Sequence, residues 1–151
     1  MDLLKSKYVI LEIIPTNLDP RRGDIAQLSA IKIDGIKLED RFDYRLKKDK
    51  IKSQDILNMI NYDNEMFSYE NDTKSIKEKF KEFITDLPLL IIDNEYTKGY
   101  LSDFDNEIIS AFDYFDLPVT FDVFDKLISK YKLEPSNYLV DLIYEALIKE
   151  L

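Results

Sequence analysis

Residues 8–35, YVILEIIPTNLDPRRGDIAQLSAIKIDG, decide how this chain begins to fold. Tyr8 to Ile14 is an almost unbroken apolar run rich in branched side chains, the pattern of a strand covered on both faces. The run is stopped by Asn17-Leu18-Asp19-Pro20 and by Gly23, which together supply a turn and remove helix and strand propensity. Ile25, Leu28, Ala30, Ile31 and Ile33 then mark a second strand. Asp34-Gly35 is a strong hairpin signal, because such pairs tolerate the positive φ that tight two-residue turns demand. Ile36 to Leu46 is free to return as a third strand, with Phe42 and Tyr44 two apart on one face. The expected opening is therefore an antiparallel meander of three strands.

The remainder alternates helices with short strands. Lys52–Ile60 is expected to be a short helix capped by Ser53, and Ser75-Ile76-Lys77-Glu78 reads as a capping box that opens a second helix. Ile76, Phe80, Phe83 and Ile84 fall on one face of it. Leu89 to Ile92 has the composition of another buried strand. Residues 97–115 carry apolar side chains at Leu101, Phe104, Ile108, Ile109, Phe112 and Phe115, so one long amphipathic helix is expected. Pro118 and Thr120 frame a short strand or connector, and helices are expected over 121–131 and 139–151. A meander followed by alternating elements makes an α/β fold with a mixed sheet flanked by helices.

Composition narrows the chemistry. The 151 residues, 45% of them hydrophobic with nine Phe and ten Tyr, suffice for one domain over 1–151 with a substantial core. There is no Cys, which removes disulfides, thiolate zinc sites and cysteine nucleophiles. There is no His either, which removes imidazole ligation and the usual general base near neutral pH. No secretory signal and no apolar run of membrane-spanning length is present, so a cytoplasmic location is expected. A net charge of −9 repels phosphate at long range, and weak or absent nucleic-acid binding follows. Arg21-Arg22 and Lys47, Lys48, Lys50 and Lys52 are the basic clusters, each read as a solvated turn. The acidic stretch with Asp103, Asp105, Asp113, Asp116 and Asp122 is read as a wet helical face, or as a surface that docks on a basic partner.

The order and spacing of several segments resemble the DEDDh 3′–5′ exonucleases, an RNase H-like superfamily that includes the proofreading subunit of bacterial DNA polymerase III type. Glu12-Ile13-Ile14-Pro15-Thr16-Asn17 stands where that family reads D-I-E-T-T-G. Residues 56–67, with Ile56, Leu57, Glu65 and Met66 in step, resemble a following segment. Ile91-Ile92-Asp93-Asn94 stands where the family has an apolar pair before His-Asn, and Tyr100-Leu101 resembles a later Phe-Leu. The resemblance covers residues 8–115 and, more loosely, the rest.

What the resemblance implies about a site is mostly loss. The family holds two catalytic cations roughly 4 Å apart with converging carboxylates. Here Glu12 keeps the first acid of the first motif, and Ile14 replaces the second. The second-motif aspartate falls on Lys98, or on Thr97 if one residue is deleted. The third motif, His-x-Ala-x-x-Asp, aligns with Ser136 to Asp141, leaving Asp141 as the acid and Ser136 in the place of the histidine; an alternative alignment matches residues 135–142 with an upstream segment. Glu12 and Asp141 are the candidate metal ligands. Each has a plainer reading, Glu12 as a hydrogen-bonded strand carboxylate or a partner of Lys98, Asp141 as a helix-surface acid, and Ile14 as core. No cofactor is expected beyond weakly held Mg²⁺ or Mn²⁺. The reading is a pseudo-exonuclease that serves as a binding or structural module with an unidentified protein partner. The alternatives are an active metal-dependent nuclease, with Asp93, Glu95 or Asp103 rearranged into the site, and an acidic interaction domain.

Overall fold

A computed structural model of the chain describes residues 5–60, 62, 66–91, 95–116, 123–134 and 139–149. The meander forms as expected: β1 (Lys7–Pro15), β2 (Ile25–Asp34) and β3 (Lys37–Leu46) pair antiparallel in sequence order. Gly35 turns the β2–β3 hairpin with φ 65°, the left-handed conformation that a residue without Cβ adopts at no steric cost. A 3-10 turn at Lys48–Lys50 leads to α1 (Gln54–Met59), where the Ser53 hydroxyl accepts from the Ile56 amide. Next come β4 (Ser68–Glu70), α2 (Thr73–Ile84) and β5 (Leu89–Ile91). The chain continues through α3 (Glu95–Tyr100), β6 (Ile108–Ser110), α4 (Ala111–Tyr114), α5 (Val123–Tyr131) and α6 (Leu139–Lys149). The six-stranded sheet runs β4-β3-β2-β1-β5-β6, and β4, β5 and β6 lie parallel to their neighbours.

Two sequence expectations are corrected, and one strand was missed. The stretch 97–115 is not one helix but the end of α3, an irregular segment, β6 and α4. Asn106 explains the break: its side-chain amide donates to the carbonyls of Thr85 and Leu87 at 3.1 and 2.9 Å, fastening this segment to the α2–β5 connection. Ile108 and Ile109, branched and suited to a pleat, then pair with Leu89 and Leu90. The second correction concerns the cap of α2, which is Asp72, accepting from the Ser75 amide at 2.8 Å. The proposed capping box thus lies inside the first turn. Finally, β4 was not anticipated, since three residues are too few to show a period of two. The Pro118–Thr120 connector lies outside the described residues.

The sheet separates two apolar layers. Val9, Leu11, Ile13, Leu28, Ala30 and Phe42 face α2 through Ile76, Phe80 and Ile84, with Tyr100, Leu101 and Phe104 beside them. On the other face Tyr8, Ile10, Ile31 and Ile33 are covered by Val140, Ile143, Ala146 and Leu147 of α6, with Leu127 of α5. At the far end of this second face, Ile14, Ala26, Leu46 and Ile51 meet Leu57 and Ile60. Among the described residues no helix is long and apolar enough to cross a membrane.

Candidate functional site

The strand register builds a polar belt between the two apolar clusters of the α6 face. Because side chains alternate, the cross-strand rows on this face read Ile10–Ile31–Arg41, then Glu12–Ser29–Asp43, then Ile14–Gln27–Arg45. The first row belongs to the α6 core and the last approaches α1. Between them, Ser29, Gln27 and Arg45 are almost wholly buried. Asp43 is nearly as deep, its side chain only 7% exposed. Burial of so many polar groups is tolerable only where each finds partners.

Arg45 has several. Its Nε donates to Gln27 Oε1 and its Nη1 to the Tyr62 carbonyl, both at 2.8 Å, while Nη2 donates to the Ile60 carbonyl. The guanidinium lies 3.7 Å from the ring centroid of Phe67, a stacked cation–π arrangement. Arg45 thereby fastens the segment after α1 to the sheet.

Arg41, half-buried, is the second cation on this face. It donates from Nε to Asp43 Oδ2 at 3.1 Å and from Nη1 to Asp141 Oδ1 at 2.9 Å, joining β3 to α6. Burial, the largest single influence on Arg41, opposes its charge; the hydrogen bonds and charges of Asp43 and Asp141 together outweigh it and hold the pKa above its ordinary value. Arg41 Nη2 and Asp43 Oδ1 are buried and without a hydrogen-bond partner among the described residues.

The positions singled out in the sequence are distributed around this belt. Glu12 is half-buried on β1, in the row of Ser29 and Asp43. Ile14, also half-buried, packs into the apolar cluster with Leu46, Ile51 and Leu57. Asp141 sits in the first turn of α6 and reaches the same face of the sheet, but over β3, where its carboxylate engages Arg41. Thr97, buried, and Lys98, exposed, lie on α3. That helix docks on the 16–24 loop at the carboxyl end of β1: Tyr100 Oη donates to the Asn17 carbonyl at 2.7 Å, and an added Cβ on Gly99 would stand 2.9 Å from Pro20 Cγ. First- and second-motif positions thus occupy one end of the sheet, where an α/β fold opens its crevice. Ser136, Asp93 and the side chain of Glu95 lie outside the described residues. Asp103 faces elsewhere, paired with Lys77 at 2.6 Å and Lys81 at 3.4 Å over α2.

Sequence reasoning passed over Arg41, Asp43, Arg45, Gln27 and Ser29. The available signal was the alternation Arg41-Phe42-Asp43-Tyr44-Arg45, in which the aromatic set was assigned a face and the charged set was not followed to the other. Among the described residues no group of three or more carboxylates is arranged to hold a metal ion.

No protein-family model matches the sequence, and no curated protein matches it. Solved structures do. A product-bound exonuclease I is similar with a TM-score of 0.62 at 13% identity over 96% of this chain and 42% of the other. Exonuclease X in complex with 5′ overhanging duplex DNA gives 0.60 at 12% identity, over 95% of this chain and 89% of the other. E. coli exonuclease I in complex with a dA16 oligonucleotide gives 0.59 at 12% identity, over 95% and 39%. The chain spans less than half the length of the exonuclease I chains. The chain has the fold of these exonucleases, an RNase H-like α/β fold with a mixed sheet.

The residues that the resemblance aligns with the family's cation ligands do not fit a pair of cations. It aligns Ile14, an apolar side chain packed with Leu46, Ile51 and Leu57, with one ligand, and the aspartate it aligns on the closing helix is engaged by Arg41. Two-metal hydrolysis needs several carboxylates converging on the same ions.

Proposed function

We propose that this chain is a catalytically degenerate exonuclease-like domain that serves as a binding or structural module. The observation that carries the reading is the ion pair of Asp141 with Arg41: the acid on the closing helix is spent inside the fold, on a strand two places removed from Glu12. Ile14 supports it, since an apolar side chain packed among Leu46, Ile51 and Leu57 offers no oxygen to a cation. The absence of His from the whole sequence removes the base that the resemblance would require.

On this reading Mg²⁺ or Mn²⁺ binds weakly or not at all, and the partner is a protein. The structural neighbours were solved with a dA16 oligonucleotide and with duplex DNA. This chain, at −9 overall, repels a similar strand at long range, and Arg21 is hydrogen-bonded to Asp19 by Nε and Nη2. The proofreading-subunit type of nuclease is the one its motifs resemble, and a non-catalytic role beside such machinery is the narrower form of the proposal.

The test is incubation of the full chain with 5′-labelled single-stranded DNA and RNA in Mg²⁺ or Mn²⁺. No 3′ shortening is expected, and affinity for random oligonucleotides should be weaker than roughly 10 μM at physiological salt. Shortening that disappears in Glu12→Ala would establish an active nuclease and overturn the proposal.

A further inference from the structure

We infer that the Arg41 guanidinium is the resident cation of the cleft between β3 and α6, and that it holds closed a latent divalent-cation site formed by Asp43 and Asp141. The inference rests on the ion triad itself and stands whether or not the chain retains nuclease activity.

Three features of the triad carry it. Asp43 and Asp141 come from different elements, yet both deliver an oxygen to one side chain, at 3.1 and 2.9 Å, so a single centre of positive charge lies between two carboxylates. The fit of that centre is incomplete. A side-on arginine–carboxylate pair uses Nε and Nη2 against both oxygens, but Asp43 engages Nε through Oδ2 alone. Its Oδ1, on a side chain 7% exposed, and Arg41 Nη2 are both buried and have no partner among the described residues. A carboxylate oxygen so placed has unused acceptor capacity, which a divalent ion, taking oxygen ligands at about 2.0–2.6 Å and completing its shell with water, can use. Lastly, Asp141 and Arg41 are each 31% exposed, so two members of the triad reach solvent.

The charge balance explains why the cleft is occupied by protein. Two carboxylates without Arg41 leave two negative charges between a strand and the helix packed on it, an arrangement that loses stability unless a cation enters. Arg41 supplies one positive charge from within the chain, which makes closure of α6 independent of metal concentration. Covalent attachment also means that no chelator removes it.

Arg41→Ala tests the assignment with Mn²⁺ as the probe, by melting temperature and by the loss of the free-ion signal in electron paramagnetic resonance. One Mn²⁺ per Arg41→Ala chain is expected. With a Kd of about 1 mM, roughly 10 mM Mn²⁺ raises the melting temperature by about 3–6 °C, and the parent shifts several-fold less. The double variant Arg41→Met/Asp43→Asn, which removes cation and buried charge together, should fold and lose the response. If Arg41→Ala is unfolded without metal, recovery of a cooperative transition on adding Mn²⁺ is the supporting result. A response no greater than the parent's, a response that survives Asp43→Asn, or failure of Mn²⁺ to restore a folded Arg41→Ala chain overturns the inference.

Discussion

Truncating Arg45 should be among the most damaging single changes in the molecule. Arg45→Ala removes three donors, leaving Gln27 Oε1 and the carbonyls of Ile60 and Tyr62 short of a partner in a region where Gln27 is 1% and Ile60 4% exposed. Hydrogen bonds to a charged group contribute about 1.5–3 kcal/mol each, and a desolvated cation–π contact about 2 kcal/mol. The gross loss of roughly 6–11 kcal/mol is offset by the relief of no longer desolvating a guanidinium, itself several kcal/mol. A net destabilisation of about 3–5 kcal/mol remains. In urea, with a slope near 2 kcal/mol/M, the midpoint should fall by roughly 2 M at unchanged slope. Arg45→Met separates the causes, because it keeps an apolar stem over Phe67 and loses only the polar contacts; about half the effect is expected. Far-UV circular dichroism across a urea series measures both variants. A midpoint shift under about 0.5 M for Arg45→Ala, or a methionine variant as stable as the parent, would refute the claim that the buried guanidinium ties the α1 end of the sheet.

Gly23→Ala should cost about 2–3 kcal/mol, because the new Cβ would stand 2.6 Å from Asn17 Cβ and 2.8 Å from Asn17 N, both in a tight loop. Gly99→Ala should cost less, since it meets only the edge of the Pro20 ring and gains helix propensity worth about 1 kcal/mol; reversed urea midpoints would contradict the packing described. Tyr100 gives a pH signature. Burial first, and then the charges of Asp24 and Asp19, push its phenol up to about 12. An unfolded tyrosine ionises near pH 10, so the contribution is complete below about pH 10 and is lost as pH rises toward 12. Tyr100→Phe should therefore be less stable than the parent at pH 8, through loss of the hydrogen bond to Asn17, with the difference narrowing above pH 10 and closing toward pH 12. Parallel curves would dispose of this assignment.

How much was legible in the sequence depended on how far each signal extended. The meander was readable because β1, β2 and β3 are long and their turn carries Asp34-Gly35. The helix expected across 97–115 failed because Leu101, Phe104, Ile108, Phe112 and Phe115 keep helical spacing by coincidence. Leu101 and Phe104 serve the α2 layer, whereas Phe112 and Phe115 follow a strand, and Phe115 serves the α6 layer. Spacing reports separation along one axis and cannot show that the axis ends at Tyr100. At the site, Glu12, Ile14 and Asp141 were singled out by resemblance alone. The engagement of Asp141 by Arg41 was not legible, because it joins residues 100 apart and arginines on a strand ordinarily face water. The buried Gln27–Arg45 pair was hidden for the same reason: polarity alone does not reveal which face of a strand is covered.

The hydroxyl of Tyr144 donates to the carbonyl of Ile36 at 2.7 Å, across 108 residues of chain. Tyr8 donates to the neighbouring Gly35 carbonyl, and the Gly35 amide to Ser6, from much nearer in sequence. The hairpin tip is thus gripped early by β1 and late by α6. During synthesis the meander can assemble as soon as its strands emerge, while Tyr8, Ile10, Ile31 and Ile33 wait for a cover encoded near the other end of the chain. At about 5–20 residues per second the newborn sheet shows that apolar face for several seconds. For that interval it is a surface for holding chaperones and for its own copies, and docking of the last helix is the event that ends the exposure.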